Sequence, residues 1–477
     1  MSRVSRGSRL LSAGALATIA ACCLAVGCTS TGAAPGSPFP TEPAGPVTVT
    51  ILSGADTSIP PPGTHESGMY SELVAWWNRY EQRRTGIHLV LDTVPGGATA
   101  EHSEMLADAE HRDSAYDIYN LDNEWVPEFA AGNFIWSLQG RLPTNGFLAQ
   151  PLASGSYNGQ LYAAPFTTDV GLLYYRKDFV TWSQVTGLTS FDGPNGLVPL
   201  ARQVMATHPS LTIGYVGQFA SYEGLTVNLL EIAHGDDPAM FADNGTISGP
   251  GGFTQALTEL LGAMTDTATG VIPSELGYEE SQAVSAFAKG KALFMRNWPI
   301  YYEQLVTAKG EGSSQVANNV RVVPLPFPSV LGGQDLAIAK ASPHPAAALQ
   351  VVKYLTSESA ERCLFAIGGF PATRGIAYAD DGSLPTGYSP INQPLCGTQA
   401  GPEVSIGPVI KKAIKDAFLR PRTPYYTEFS SIIQDEVHHQ LAGSNPTNDI
   451  SGFAAGLTTA LNDAAATGQA PPRPSPS

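Results

Sequence analysis

Three strand-like stretches alternate with two helical ones between Val47 and Leu121, and this order is the strongest constraint on the fold. Val47–Leu52 alternates apolar and polar residues as a strand does. Tyr70–Arg84 places Leu73, Val74 and Trp77 on one helical face. His88–Val94 is a second strand, Ala100–Glu110 a second helix and Tyr116–Leu121 a third strand. Successive strands joined through helices must run parallel, with the helices covering the sheet. The fold class is therefore α/β. About 430 residues remain once the ends are set aside, more than one core comfortably holds, so two lobes are expected.

A second unit, Tyr278–Trp298, reads as helix, tight turn and strand. Glu279 and Glu280 sit where a helix N-terminus favours negative charge. Ala283, Val284 and Phe287 recur at helical spacing, and Lys289-Gly290 is a stop signal. Ala292–Met295 is then apolar and strand-length. A helix that turns straight back into a strand brings its start and the strand's end to one sheet edge, where open α/β sheets bind ligands. Glu280 and Trp298 are thus expected to be neighbours at a cleft. A carboxylate accepts hydroxyl protons and an indole covers the apolar face of a pyranose. Each residue also has a plain structural reading, Glu280 as a helix cap and Trp298 as core filling.

Asp122 ends the third strand, either capping the next helix or facing the cleft. Asn158-Gly159 marks a hairpin. Leu161–Pro165 and Gly171–Arg176 flank Phe166-Thr167-Thr168-Asp169, read as a strand crossing between lobes. Pro194–Met205 and Ser221–Glu231 are helices of the second lobe. Arg321–Pro328 is a strand, and Gly332-Gly333-Gln334-Asp335 opens another, the glycines allowing either a turn or close backbone approach to a ligand. Pro345–Leu355 is a helix. Arg374 ends the loop Gly368–Arg374 and is a natural donor to sugar oxygens. Tyr426–Leu441 and Ala454–Ala464 are the last helices. Gly249–Gly252 lacks the lysine of a phosphate loop.

Residues 1–27 read as a targeting segment: Arg3, Arg6 and Arg9, then the apolar run Leu10–Val26. Leu24-Ala25-Val26-Gly27-Cys28 resembles a lipobox with Cys28 as the lipidated residue; an ordinary signal cut near Ala33–Ala34 is the alternative. Residues 28–46 form a polar tether and 465–477 a disordered tail. Cys363 and Cys396 remain in the body and can pair outside the cytoplasm, closing a loop worth roughly 3–4 kcal/mol, or stand as two buried thiols. No Cys/His cluster suggests a metal. The net charge of −16 argues against nucleic acid or an anionic membrane surface as partner.

Five stretches, Tyr116–Phe129, Tyr157–Asp178, Glu279–Pro299, Gly332–Ala339, and Gly368–Arg374 with Arg420–Tyr425, together resemble the extracellular solute-binding proteins of carbohydrate ABC importers, the maltose- and trehalose-type group. The resemblance covers residues 47–464. It implies a two-lobed periplasmic-binding-protein-like fold (type II), each lobe a mixed sheet flanked by helices with a cleft between. The implied lobes are 47–165 with 331–370, and 166–330 with 371–464. Carried over by position, it assigns ligand contacts to Asp122, Asp169, Glu280, Trp298, Gly333 and Arg374, with Gln334 beside them. It departs at Gln334, where relatives have an aromatic or apolar residue, at Asp335 in place of asparagine, at Ile232–Asp237 and at the insert Thr57–His65. It implies a monomeric, lipid-anchored receptor on the outer face of the cell membrane, non-enzymatic and without cofactor. The receptor hands a trehalose- or maltose-like sugar to an ABC permease. A secreted glycoside hydrolase built on Asp122, Asp169, Glu223 and Glu280 is the competing reading, and an anchored surface protein without small ligand a third.

Overall fold

The structure is a computed structural model and describes residues 38–42, 45–55, 68–112, 114–242, 246–265, 271–272, 277–307, 314–379, 402–443 and 447–469. The targeting segment with Cys28, most of the tether, the insert Thr57–His65, Cys396 and the tail from residue 470 lie outside them.

The opening strands are β1 (Val47–Gly54), β2 (Ile87–Val94) and β3 (Ile118–Asp122). A small hairpin follows, β4 (Ser156–Tyr157) and β5 (Gln160–Leu161), then β6 (Ala163–Pro165), β7 (Asp169–Val170) and β8 (Leu172–Arg176). The later strands are β9 (Ile213–Val216), β10 (Ala292–Asn297), β11 (Val320–Pro324), β12 (Leu331–Gly332) and β13 (Gln334–Ile338). They form a five-stranded sheet, β2-β1-β3-β13-β6, and a four-stranded sheet, β11-β8-β10-β9. β1 pairs parallel with β2 and β3, as the strand–helix order requires, while β13 runs antiparallel to β3 and β6. In the second sheet only β9 and β10 pair in parallel. Both sheets are therefore mixed.

Strand alternation builds a core on each face of the first sheet. Val49, Ile51, Leu336 and Ile338 join Leu73 and Trp77 of helix Met69–Tyr80 and Val351 of helix Pro345–Leu355. Leu52, Tyr119, Leu121 and Ala337 point the other way, onto Met105 of helix Ala98–His111 and Phe129 of helix Val126–Ala131. Burying a side chain such as Leu73 is worth about 1.5–3 kcal/mol. The second sheet is covered likewise, with Tyr215 and Leu293 on helices Leu197–Met205 and Glu223–Asp236, and Tyr174 and Met295 on helix Glu280–Ala288. The expected helix Tyr426–Leu441 contains a π turn at Ile433–Val437, between Tyr426–Ile432 and His438–Ala442. Cys363 lies buried in helix Glu358–Ala366 and is disulfide-bonded. The Asn158-Gly159 turn has both residues at positive φ, 48° and 74°, as a two-residue hairpin demands.

Two of the connections between the lobes run side by side. The chain leaves the first sheet at Pro165 and passes through β7 into β8; it returns from β11 through β12 into β13. β7 and β12 pair antiparallel, Val170 with Leu331 and Asp169 with Gly332. Gly333 follows at φ 105°, and a Cβ there would lie 2.4 Å from the Thr167 carbonyl oxygen and 2.5 Å from Thr168 Cα. The glycine thus serves the close passage of the other crossing strand. Gly333→Ala should lower stability in chemical denaturation by at least the 1–3 kcal/mol of a strained backbone alone; an unchanged midpoint would show that the crossing can relax.

Candidate functional site

The helix–turn–strand unit folds as its sequence indicates and delivers Glu280 beside Trp298. Ala283, Val284 and Phe287 are buried, the helix closes at Lys289, and Gly290 turns at φ 74° into β10. The N-cap is Glu279, whose N–H donates to Gln282 Oε1 at 3.3 Å. Glu280, one residue on, is left for another task. Trp298 Nε1 donates to Glu280 Oε1 at 3.3 Å. Asn297 stitches the two ends together: its Nδ2 donates to the Glu280 carbonyl at 3.1 Å, and its Oδ1 accepts from the Trp298 N–H at 2.9 Å. Tyr174 fixes the same backbone by donating to the Trp298 carbonyl at 2.7 Å. Trp298 and Glu280 remain half-buried. Burial and the neighbouring Glu280 charge push the Tyr222 phenol well above its ordinary range.

From this pair the candidate residues continue along the crossing. A Cβ on Gly332 would stand 3.3 Å from Asp169 Cβ and 3.6 Å from the Trp298 ring, so Asp169, Gly332 and Trp298 meet. Beyond Gly333, Gln334 donates through Nε2 to Asp122 Oδ1 at 3.0 Å and accepts from Thr167 Oγ1 at 2.5 Å. Asp122 makes no side-chain cap to the turn Asn123–Trp125. Its capping reading gives way to pairing with Gln334. Asp122, Gln334, Gly333, Asp169, Trp298 and Glu280 thus form one continuous strip from the first sheet, over the crossing, to the edge of the second.

Arg374 is not part of that strip. It is buried, its Nε donates to the Thr356 carbonyl at 2.7 Å and one terminal nitrogen to the Asn145 carbonyl at 2.8 Å. Its guanidinium lies 3.8 Å from the Phe147 ring centroid. The loop holds it against the protein's own backbone, which corrects the expectation of a sugar donor there. Arg422 likewise donates to backbone carbonyls, of Asn123 at 3.0 Å and of Ser154 at 2.5 Å.

The arginine that bridges the lobes is Arg420, which the sequence reading passed over. It donates to Asn123 Oδ1 at 3.1 Å and to Glu124 Oε2, beyond β3, and to Glu223 Oε1 at 2.8 Å, at the start of a second-lobe helix. Glu223 also accepts from the Tyr426 hydroxyl at 2.6 Å and the Ser430 hydroxyl at 2.5 Å. Burial would lower the Arg420 pKa, but Glu124, Tyr426 and Glu223 outweigh it and hold the guanidinium firmly charged. The available signal was the pairing of Arg-Pro-Arg with Asn123-Glu124, acids and amides that burial leaves in need of a cation. Among the described residues no group of His, Cys, Asp or Glu is arranged to hold a metal ion.

Asp335, next to Gln334 but on the opposite side of β13, is fully buried and accepts from Ser154 Oγ at 3.0 Å. Burial raises its carboxyl to about 7, against the lowering effects of Ser154 and Arg422. A carboxyl whose folded pKa is raised binds its proton more tightly when folded. Its stabilising contribution is full below the ordinary value of 3.8 and is lost as pH rises through about 7. Asp335→Asn should therefore gain stability relative to the parent chain between pH 5 and pH 8, by on the order of a few kcal/mol. Thermal melts across that window check it, and parallel pH profiles for the two proteins would refute it.

The family model for bacterial extracellular solute-binding proteins matches residues 63–362. A curated relative from Deinococcus radiodurans, described as a probable ABC transporter-binding protein, is 27% identical over 318 residues, 62% of this chain and 72% of its own. Among solved structures, maltose-bound MalE3 of T. maritima superposes with a TM-score of 0.67 at 25% identity, covering 86% of this chain and 99% of that one. The GacH receptor of Streptomyces glaucescens, solved unliganded and with acarbose, gives 0.66 at 20% identity, covering 87% and 98%. The chain belongs to the bacterial extracellular solute-binding proteins.

Proposed function

We propose that this protein captures a disaccharide or short oligosaccharide, an α-glucoside of the maltose or trehalose kind, between two closing lobes and delivers it to an ABC permease. The observation that carries the reading is the half-buried Trp298 with Glu280 at its nitrogen edge, Gly332 against its ring and Asp169 beside Gly332. An indole face removes the apolar side of a pyranose from water while carboxylates and amides take its hydroxyls. Maltose in T. maritima MalE3 and acarbose in the GacH receptor are ligands of the same α-glucoside chemistry. Glycoside hydrolysis is less well supported, because both Glu223 oxygens are taken up by Arg420, Tyr426 and Ser430 and Asp122 accepts from Gln334. The lobe boundaries 47–165 with 331–370 and 166–330 with 371–464, lipidation at Cys28, a location on the outer face of the cell membrane and the monomeric state belong to the same proposal.

Calorimetric titration with maltose, trehalose and maltotriose should give saturable heat with no reducing sugar released. Absence of binding by any of them would overturn the choice of sugar class. Covering some tens of Å² of pyranose is worth about 1–2 kcal/mol, so Trp298→Ala should weaken binding about ten- to thirtyfold. Arg374→Ala should do the reverse, lowering the melting temperature while leaving affinity within about threefold, since it removes internal hydrogen bonds alone. The opposite pattern would put the binding surface near Phe147 instead. Cys363 is expected to pair with Cys396, and a gain of about two mass units on reduction of exported protein checks the single bond.

A further inference from the structure

Trp298 packs partly against the second-lobe core, and a cation covers one face of its ring. Arg296, on β10 and completely buried, lays its guanidinium 3.8 Å from the Trp298 ring centroid. Glu231, 1% exposed, holds it with two hydrogen bonds, Nε to Oε2 at 3.0 Å and a terminal nitrogen to Oε1 at 2.8 Å. Gln218 completes the frame: its Oε1 accepts from Arg296 at 3.3 Å and its Nε2 donates to the Arg296 carbonyl at 3.0 Å. A planar fork fixed at both ends in this way presents a flat cation at one height and one tilt.

Glu231 has a second set of partners. Its Oε1 accepts from Ser329 Oγ at 2.8 Å and from the Val330 N–H at 3.2 Å, immediately before β12. Ser329 Oγ in turn accepts from the Gly171 N–H at 2.6 Å, immediately after β7. A Cβ at Gly171 would come within 2.7 Å of Arg296 Nε and 2.8 Å of Glu231 Oε1, so the outgoing connection presses directly on the pair. One carboxylate therefore ties the outgoing connection, the returning connection and the cation beneath the indole.

We propose that Arg296 and Glu231 are the positioning residues of the Trp298 platform: the guanidinium sets the ring's tilt by stacking, and Glu231 registers that tilt to the β7 and β12 connections. Neither residue touches the sugar; both act through Trp298. The inference rests on Trp298 being the sugar floor. It explains why a salt bridge is buried where hydrophobic packing would be at least as stable. A cation held against one face draws on the ring's quadrupole and orients it, which an aliphatic side chain cannot do. Burial tends to lower the Arg296 pKa, but Glu231 more than offsets this and keeps it charged.

The test uses protein labelled with 5-fluorotryptophan, in which each of the six tryptophans gives a fluorine resonance. Trp298→Phe assigns the Trp298 line. Arg296→Lys keeps charge but loses the planar stack. The double variant Arg296→Met with Glu231→Gln removes both charges, so none is stranded in the core, and keeps an acceptor for Ser329 and Val330. In both, the Trp298 line should move and broaden in unliganded protein while the other five hold and the thermal transition persists. Maltose affinity should fall about tenfold. A folded double variant with the parent Trp298 line and the parent maltose affinity overturns the proposal. The sugar reading fails separately: Trp298→Phe and Trp298→Ala proteins that bind maltose as the parent does would remove Trp298 from the site, whatever the fluorine spectra show.

Discussion

The antiparallel contact between β7 and β12 is the constraint on which the remaining structure depends. Each strand is two residues long, and each joins a sheet of one lobe to a sheet of the other. Two such short strands contribute few backbone hydrogen bonds, so side chains must fix their register. Gly333 allows backbone to lie on backbone at Thr167–Thr168. Ser329 bonds across from one connection to the other at Gly171, and Asn123 Nδ2 reaches the Leu331 carbonyl at 3.3 Å. Once this crossing is fixed, Gln334 faces Asp122 and Gly332 faces Asp169 and Trp298. Three residues distant in sequence, Asp122, Asp169 and Trp298, come into one strip because the chain passes twice over the same few ångströms.

Much of this was legible because it rests on periodicity and on local stop signals. The three opening strands and two helices, the helix Pro345–Leu355, and the Glu280–Trp298 unit each follow from apolar spacing within a dozen residues. The crossing at Phe166–Asp169 showed itself because Pro165 ends one strand and an apolar run resumes at once. What could not be read depends on contacts across the chain. Arg374 ends a glycine-rich loop in the manner of a ligand donor, yet the carbonyls of Thr356 and Asn145 meet it first. No local pattern places Asn145 beside residue 374. Nor does any local pattern show that Gly333 lies against Thr167, which is far away in sequence. The π turn at Ile433–Val437 leaves the apolar rhythm almost unchanged and so has no sequence mark.

Trp298 shows why a binding residue and a core residue look alike in sequence. Its ring packs partly against the second-lobe core, and Arg296 covers it from beneath. A platform must be immobile to contribute to affinity, since an indole that has to be ordered at binding gives back part of what its area contributes. The supports are polar: Asn297 for the backbone, Glu280 for the indole nitrogen, Arg296 for the ring.

Two buried arginines divide the mechanical problem between them. Arg296 is hydrogen-bonded to the side chains of Glu231 and Gln218 and stacked on Trp298, all of the second lobe. Arg420 has partners on both sides, Asn123 and Glu124 after β3, and Glu223 at the start of a second-lobe helix. Separating a buried cation from one of its carboxylates costs several kcal/mol, too much for a step that must reverse readily. If the lobes close as proposed, the atoms around Arg420 must then move least, which places the axis of closure close to Arg420 and the β7–β12 contact. Displacement grows with distance from that axis. On this geometry the crossing residues Asp169, Gly332 and Gly333 serve as the fixed side of the site, and a bound solute is gripped chiefly by the parts of each lobe that lie farther out.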